Sequence, residues 1–262
     1  MTELLFLHWR NLTRGERICL VALGIVLVAW TLLPSVAQDQ TYHAFADQRT
    51  IFGIQRAADV LSNLAFLAVG VYGLVRLVAP DRERLSPATE AGVACIALGF
   101  LLTAFGSGWY HLGPSDASLV WDRLPMTLAF AGVLGTAIAQ RIGQNIARVA
   151  LAVLFELGIV SVFYWKFVGD LSLYILLQFG GIAALLAILF LTKRGDDPFP
   201  WWWLVGWYSL SKVLELADRT IWDATGGLIA GHSLKHLTAA IAGAGLFYPL
   251  RSAKLAISPR PT

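Results

Sequence analysis

The sequence predicts an all-α integral membrane protein: a seven-transmembrane-helix bundle with one additional N-terminal transmembrane helix, eight spans in all. Hydrophobic residues make up 57% of the 262 and charged residues only 14%, a balance far from that of soluble domains. Apolar stretches of about 17 to 25 residues recur along the whole chain, each long enough to cross a hydrocarbon core of roughly 30 Å as a helix. The loops between them alternate between rich and poor in Lys and Arg, as cytoplasmic and opposite loops do.

Taken in order, the first stretch is 18–36, preceded by Arg10, Arg14 and Arg17. Those cations, the apolar run and the "PSVAQ" that follows also resemble a signal peptide cleaved after Ala37; the run is long for that role, and the later topology is the same either way. The remaining stretches are 57–79, 89–111, 119–140, 146–166, 171–192, 201–222 and 232–250. "WWW" at 201–203 sits where interfacial tryptophans anchor a span. No repeat, low-complexity tract or long linker separates the stretches, so 1–262 reads as a single transmembrane domain. Residues 1–40 hold the additional helix and about 50–252 the seven-helix core.

Thirteen cations fall at one side: the three N-terminal arginines, then Arg76, Arg82, Arg84, Arg141, Arg148, Lys193, Arg194, Arg251, Lys254 and Arg260. The other side holds Arg49, Arg56 and Lys166, with Arg219 near a boundary. Both termini are therefore expected in the cytoplasm. The net charge of +3 is spread over these loops and does not form a nucleic-acid surface. Cys19 and Cys95 lie inside apolar stretches and read as packing residues rather than a disulfide.

This topology gathers polar residues at one membrane depth, toward the outer leaflet. The third span ends in Ser107 and His111, the fourth begins with Asp122, and the eighth begins with "HSLKH", His232 and His236. An i, i+4 pair on a helix stacks two side chains on one face about 6 Å apart. Three neutral histidines with an open position form the ligand set of a catalytic zinc, which acidifies bound water to a pKa of about 7. Ionisable groups inside a membrane cost about 2.5 to 3.5 kcal/mol each on insertion scales, so their gathering argues for a site. Helix-interface histidines bonded to neighbouring helices are the plainer alternative. In H-E-x-x-H zinc proteases a glutamate beside the first histidine is the base, whereas here that position is Ser233. Asp122 is the candidate base and Ser107 the candidate donor to the oxyanion or the water.

With these residues in hand, the sequence resembles the alkaline ceramidase family, within the superfamily of seven-helix membrane hydrolases that also includes the adiponectin and progestin receptors. "VLSNLAFL" (60–67), "GSGWYHLGPSDASLVWDRLPM" (106–126) and "GHSLKHLTAAIAG" (231–243) carry the resemblance. It covers the second to eighth stretches. The resemblance implies Zn2+ held by His111, His232 and His236, with Ser107 and Asp122 assisting hydrolysis of the amide of a ceramide-like lipid to a fatty acid and a sphingoid-type amine. The lipid substrate would reach the site laterally between helices. Ser62 and Asn63 of "SNL" would pack or support the site. The acidic calcium-binding segment of animal relatives is not matched, because "YHAFADQRT" offers only Asp47; this puts calcium regulation and sphingolipid preference in question.

Three further expectations complete the reading. Lys212, Glu215 and Asp218 follow an i, i+3, i+6 stripe and are expected to form ion pairs, including Glu215 or Asp218 with Lys235; support of a ligating histidine is the sharper alternative. His8 and His43 are expected to be ordinary surface or interfacial residues. A receptor or sensor with a structural zinc would need a large partner-binding region, and a transporter would need repeated broken helices in its two halves; neither pattern is visible.

Overall fold

A computed structural model of the chain describes residues 30–251 and scattered residues between 13 and 28. Most of the first apolar stretch, His8, Cys19 and the tail cations Lys254 and Arg260 lie outside the described residues. A strap of residues 36–49, containing a 3-10 turn at Gln40–His43, leads into a hairpin of β1 (Thr50–Ile51) and β2 (Ile54–Gln55). The helices follow as α1 (Ala57–Ser62), α2 (Leu64–Val78), α3 (Pro87–Leu112), α4 (Asp116–Arg141) and α5 (Gln144–Val168). Then come α6 (Ser172–Ile175), a π turn (Leu176–Gly180), α7 (Gly181–Leu191), α8 (Trp201–Leu216), α9 (Asp218–Ala224) and α10 (Gly231–Ala244), closed by a 3-10 turn (Gly245–Leu250).

Short connections make successive long helices antiparallel neighbours. One end of the bundle gathers the strap, the hairpin and the connections before α4, α6 and α10. There Leu171 N–H donates to the Val36 carbonyl, Arg56 donates to the Leu112 carbonyl and Arg49 to the Leu228 carbonyl. At the other end Arg76 donates to the Leu250 carbonyl and Arg141 pairs with Asp197. An apolar cluster that includes Val93, Ile96, Leu134, Trp201, Leu246 and Phe247 fills that second end.

Four of the predicted spans are not continuous α-helices: 57–79 is interrupted at Asn63, 232–250 ends in the 3-10 turn from Gly245, and two others break more sharply. The stretch 201–222 breaks at Ala217, where α8 stops and Asp218 starts a new helix that points its carboxylate at backbone N–H groups. The stretch 171–192 contains the π turn, where Gln178 donates to the Tyr208 hydroxyl at 2.8 Å; single π turns of this kind mark functional regions.

Among the described residues, four helical segments are long and apolar enough to cross a membrane: Ala57–Val78, Pro87–Leu112, Gln144–Val168 and Ser172–Leu191. The others fall short in two ways, α8 and α10 by length, at 16 and 14 residues, and α4 by composition. α4 is long but carries Asp122 and Arg123, α8 carries Lys212 and Glu215 before it breaks, and α10 has 14 residues including Lys235. Charges that a lipid-facing helix excludes are concentrated on the helices that build the site.

Candidate metal centre

α3 and α4 make one wall of the site through backbone contact. Glycines at 92, 99 and 106 recur every seven residues along α3 and face α4. A Cβ on Gly99 would lie 2.7 Å from the Ala129 nitrogen, and one on Gly106 only 1.9 Å from the Trp121 carbonyl oxygen. That carbonyl is free to be approached because Pro125, four residues on, lacks the N–H that would bond it in the helix. The close approach seats Asp122 near Ser107, and both side chains border the same cavity. Ser107 is 1% exposed and Asp122 5%. The C-terminal carbonyls of α3 are held too: Arg56 donates to the His111 carbonyl at 2.7 Å and to that of Leu112 at 2.8 Å.

α10 supplies the other wall. Gly231 lets its first turn sit against the α8–α9 break, where an added Cβ would meet the Leu214 carbonyl at 2.3 Å. His232 and His236 then face His111, and the three buried rings form a nearly equilateral triangle with centroids 4.9, 5.0 and 4.9 Å apart. One ring nitrogen from each lies within 4.8 Å of the others. Both nitrogens of His111 and Nε2 of His236 are buried without a hydrogen-bond partner. An unpaired buried polar atom costs about 1 to 3 kcal/mol, and a single cation among the rings would satisfy Nε2 of His236 and one nitrogen of His111.

The tautomer of His236 follows from its neighbour. Ser62 Oγ donates to the Asp59 carbonyl at 2.9 Å, so it accepts from His236 Nδ1–H at 2.7 Å. The lone pair is left on Nε2, facing the other two rings, the arrangement that orients histidines toward metals. The residues therefore fit a metal ion, and three neutral imidazoles suit zinc.

The charged stripe forms ion pairs. Glu215 pairs with Lys212 and, at 3.1 Å, with Lys235, whose ammonium is 3.4 Å from His232 Nε2. Asp218 takes no part in them. Its two oxygens accept the N–H groups of His232 at 2.8 Å and Ala46 at 2.9 Å, so it touches the backbone of a candidate ligand rather than its ring. A cavity of about 140 Å³ opens on this wall, bordered by Ser107, Asp122, Lys235 and His236 at one end and by Leu134 and Leu246 toward the apolar cluster.

Sequence reasoning missed several neighbours of the site. Phe45 on the strap packs at a tilt against His111 and edge-on against His232, both at 4.6 Å. His43, expected at an ordinary surface, bonds the Tyr110 hydroxyl at 2.8 Å and Asp116 at 3.1 Å. Asp59 is fully buried and accepts from Ser233 at 2.6 Å; an acid three residues before "SNL" inside an apolar stretch was the available signal. Arg123 is 5% exposed, donates to Gln38 and lies over the rings of Trp165 and Tyr174 at 4.2 and 4.9 Å. Asp47 pairs with Arg49 at 2.6 Å. Burial pushes the Asp47 carboxyl up, but the Arg49 guanidinium and N–H outweigh this and hold it below the usual carboxylate range. Asp170 behaves likewise: the cost of burial is overcome by N–H groups of Val36 and Ser172 and by the Ser172 and Ser35 hydroxyls.

Comparisons with protein-family models, with curated proteins and with solved structures found no match to this chain.

Proposed function

We propose that this chain is a zinc-dependent intramembrane amidohydrolase that cleaves a ceramide-like lipid to a fatty acid and a sphingoid-type amine. In this reading eight spans, the additional helix and a seven-helix core, cross the bilayer. Both termini are cytoplasmic, and the site opens toward the outer leaflet. One observation carries the proposal: three buried imidazoles from two distant helices bring ring nitrogens within 4.8 Å of one another, and His111 and His236 have buried nitrogens with no hydrogen-bond partner. Burial of that set without a ligand has no structural return, whereas a divalent cation satisfies it.

His111, His232 and His236 would hold the zinc, which when bound supplies a Lewis acid that polarises a carbonyl and acidifies water. The chain's own residues supply the rest. The apolar cavity takes the acyl chain and leaves the amide beside His236 and Asp122. Asp122 takes the proton of the attacking water and delivers it to the leaving nitrogen. Ser107, on the same cavity wall, supplies the hydroxyl that steadies that carboxylate and donates to the oxyanion. Lys235 sets a fixed positive charge in the same wall, kept there by Glu215.

The test uses purified protein in lipid nanodiscs. Metal analysis should find about one zinc per chain in the native protein and almost none in His232→Ala. Mass spectrometry of added ceramide should show loss of the amide with gain of fatty acid and amine only in the native protein. Full zinc occupancy in His232→Ala, or equal hydrolysis by both, overturns the proposal.

A further inference from the structure

The histidine triangle has two unlike sides. The cavity reaches it past His236, Asp122 and Ser107, while His111 and His232 do not border that cavity. Their other side is covered by the strap. Phe45 is 3% exposed, with its ring 4.6 Å from both His111 and His232 and 5.7 Å from Tyr110. Ala46 and Asp47 beside it are 5% and 0% exposed.

The strap is fastened along its length to helices far apart in sequence. Asp170 accepts from Val36 N–H at 2.9 Å, and Arg123 donates to Gln38 at 2.7 Å. His43 and Gln40 both reach Asp116, at 3.1 Å each. Arg49 reaches the Leu228 carbonyl at 3.2 Å and lies 4.7 Å over the Trp222 ring. Asp218 is the central fastening, because one carboxylate holds both Ala46, next to the aromatic ring, and the N–H of His232. The ring and the candidate ligand are thus positioned by the same side chain.

We infer that Phe45 is a specificity-determining plug: among the described residues it closes the aqueous approach to the three histidines and leaves the apolar cavity as the path for a substrate. The inference rests on the proposed hydrolase reading for its substrate consequence. A site closed on its water side and reached through an apolar cavity admits amides that partition into the membrane and rejects water-soluble ones. Excluding bulk water also strengthens the electrostatics of the site.

The experiment measures zinc removal by EDTA, a charged chelator confined to water, from native protein and from Phe45→Ala and Phe45→Leu. Initial zinc content is measured in each. Removal should be about tenfold faster or more in Phe45→Ala and intermediate in Phe45→Leu, because local opening then exposes the rings. The Phe45→Ala protein should also gain turnover of a short, soluble N-acyl amide relative to a long-chain one. An unchanged removal rate at intact zinc content overturns the inference and leaves the hydrolase reading standing. If Phe45→Ala does not hold zinc, Arg49→Gln, which loosens the strap without touching the histidines, decides by the same rate. A native protein without zinc counts against the hydrolase reading alone. The plug is then tested by diethyl pyrocarbonate modification: His111 and His232 should react faster in Phe45→Ala, with His43 as the reference, and equal rates overturn it.

Discussion

The two walls of the histidine site are built by different physics. The α3–α4 wall presents Ser107, His111 and Asp122 from two unbroken 26-residue helices held together by backbone contact at Gly92, Gly99 and Gly106. The α8–α10 wall presents His232 and His236 from a 14-residue helix beside a break, and charged and hydrogen-bonded side chains hold it. Small residues that let helices approach are the usual membrane solution. Buried ion pairs in an apolar setting are costly and survive where they are fully paired. The difference teaches where each wall is vulnerable: one to added volume, the other to lost charge.

The ionic wall should show the largest effect. Glu215→Gln leaves Lys212 and Lys235 without the carboxylate both of them pair with. Removing one partner of a buried pair costs about 3 to 5 kcal/mol, so thermal unfolding in detergent should fall steeply. Zinc content should fall with it, because Lys235 lies between the two α10 histidines. Unchanged stability would mean that packing, not charge, holds this wall, and the contrast between the walls would disappear.

Gly106→Ala strikes the other wall. The new methyl carbon would start 1.9 Å from the Trp121 oxygen, and neither backbone can rotate away. Overpacking of this kind costs about 1 to 3 kcal/mol. The distinguishing readout is chemical: α4 must move off α3, carrying Asp122 away from Ser107. Amide turnover should therefore fall while His232 and His236 still retain zinc. Loss of zinc with normal residual turnover per metal would show that Gly106 positions the ligand rather than the base.

These contrasts also explain what was legible in the sequence. The helical membrane class followed from hydrophobic length, since each span's requirement is local. The coming together of His111, His232 and His236 followed from topology and i, i+4 spacing, which place side chains on one face before any contact is known. Lys235 was expected to pair with Glu215 or Asp218, and it pairs with Glu215. Phe45, Asp59 and Arg123 were not, because their roles depend on where a strap and neighbouring helices cross, and no period encodes that. The break at Ala217 was hidden as well: the segment stays apolar enough to read as one span, and what ends α8 is the distant demand of two backbone N–H groups on Asp218. The seven-residue glycine repeat on α3 was visible, and a search for small residues at helix-contact spacing would have found the α3–α4 seam.

The smallest effect on the fold, and the sharpest on the site, is expected from Ser62→Ala. Its hydroxyl takes the Nδ1 proton of His236 and donates to the Asp59 carbonyl. The second duty is shared, because Asn63 Nδ2 donates to that same carbonyl at 2.7 Å. Stability should therefore change little. The first duty rests chiefly on Ser62, so the ring loses its 2.7 Å contact at Nδ1, the one that keeps its lone pair on Nε2. Loss of such an orienting partner lowers metal affinity about 10- to 100-fold, measurable by competition with a zinc indicator. His111 offers no counterpart experiment: neither of its ring nitrogens has a hydrogen-bond partner, and packing against Phe45, Tyr110 and the other two histidines orients it. Equal zinc affinity in native protein and Ser62→Ala would show that His236 too is held by packing, and that the two walls differ in how they fold but not in how they aim their ligands.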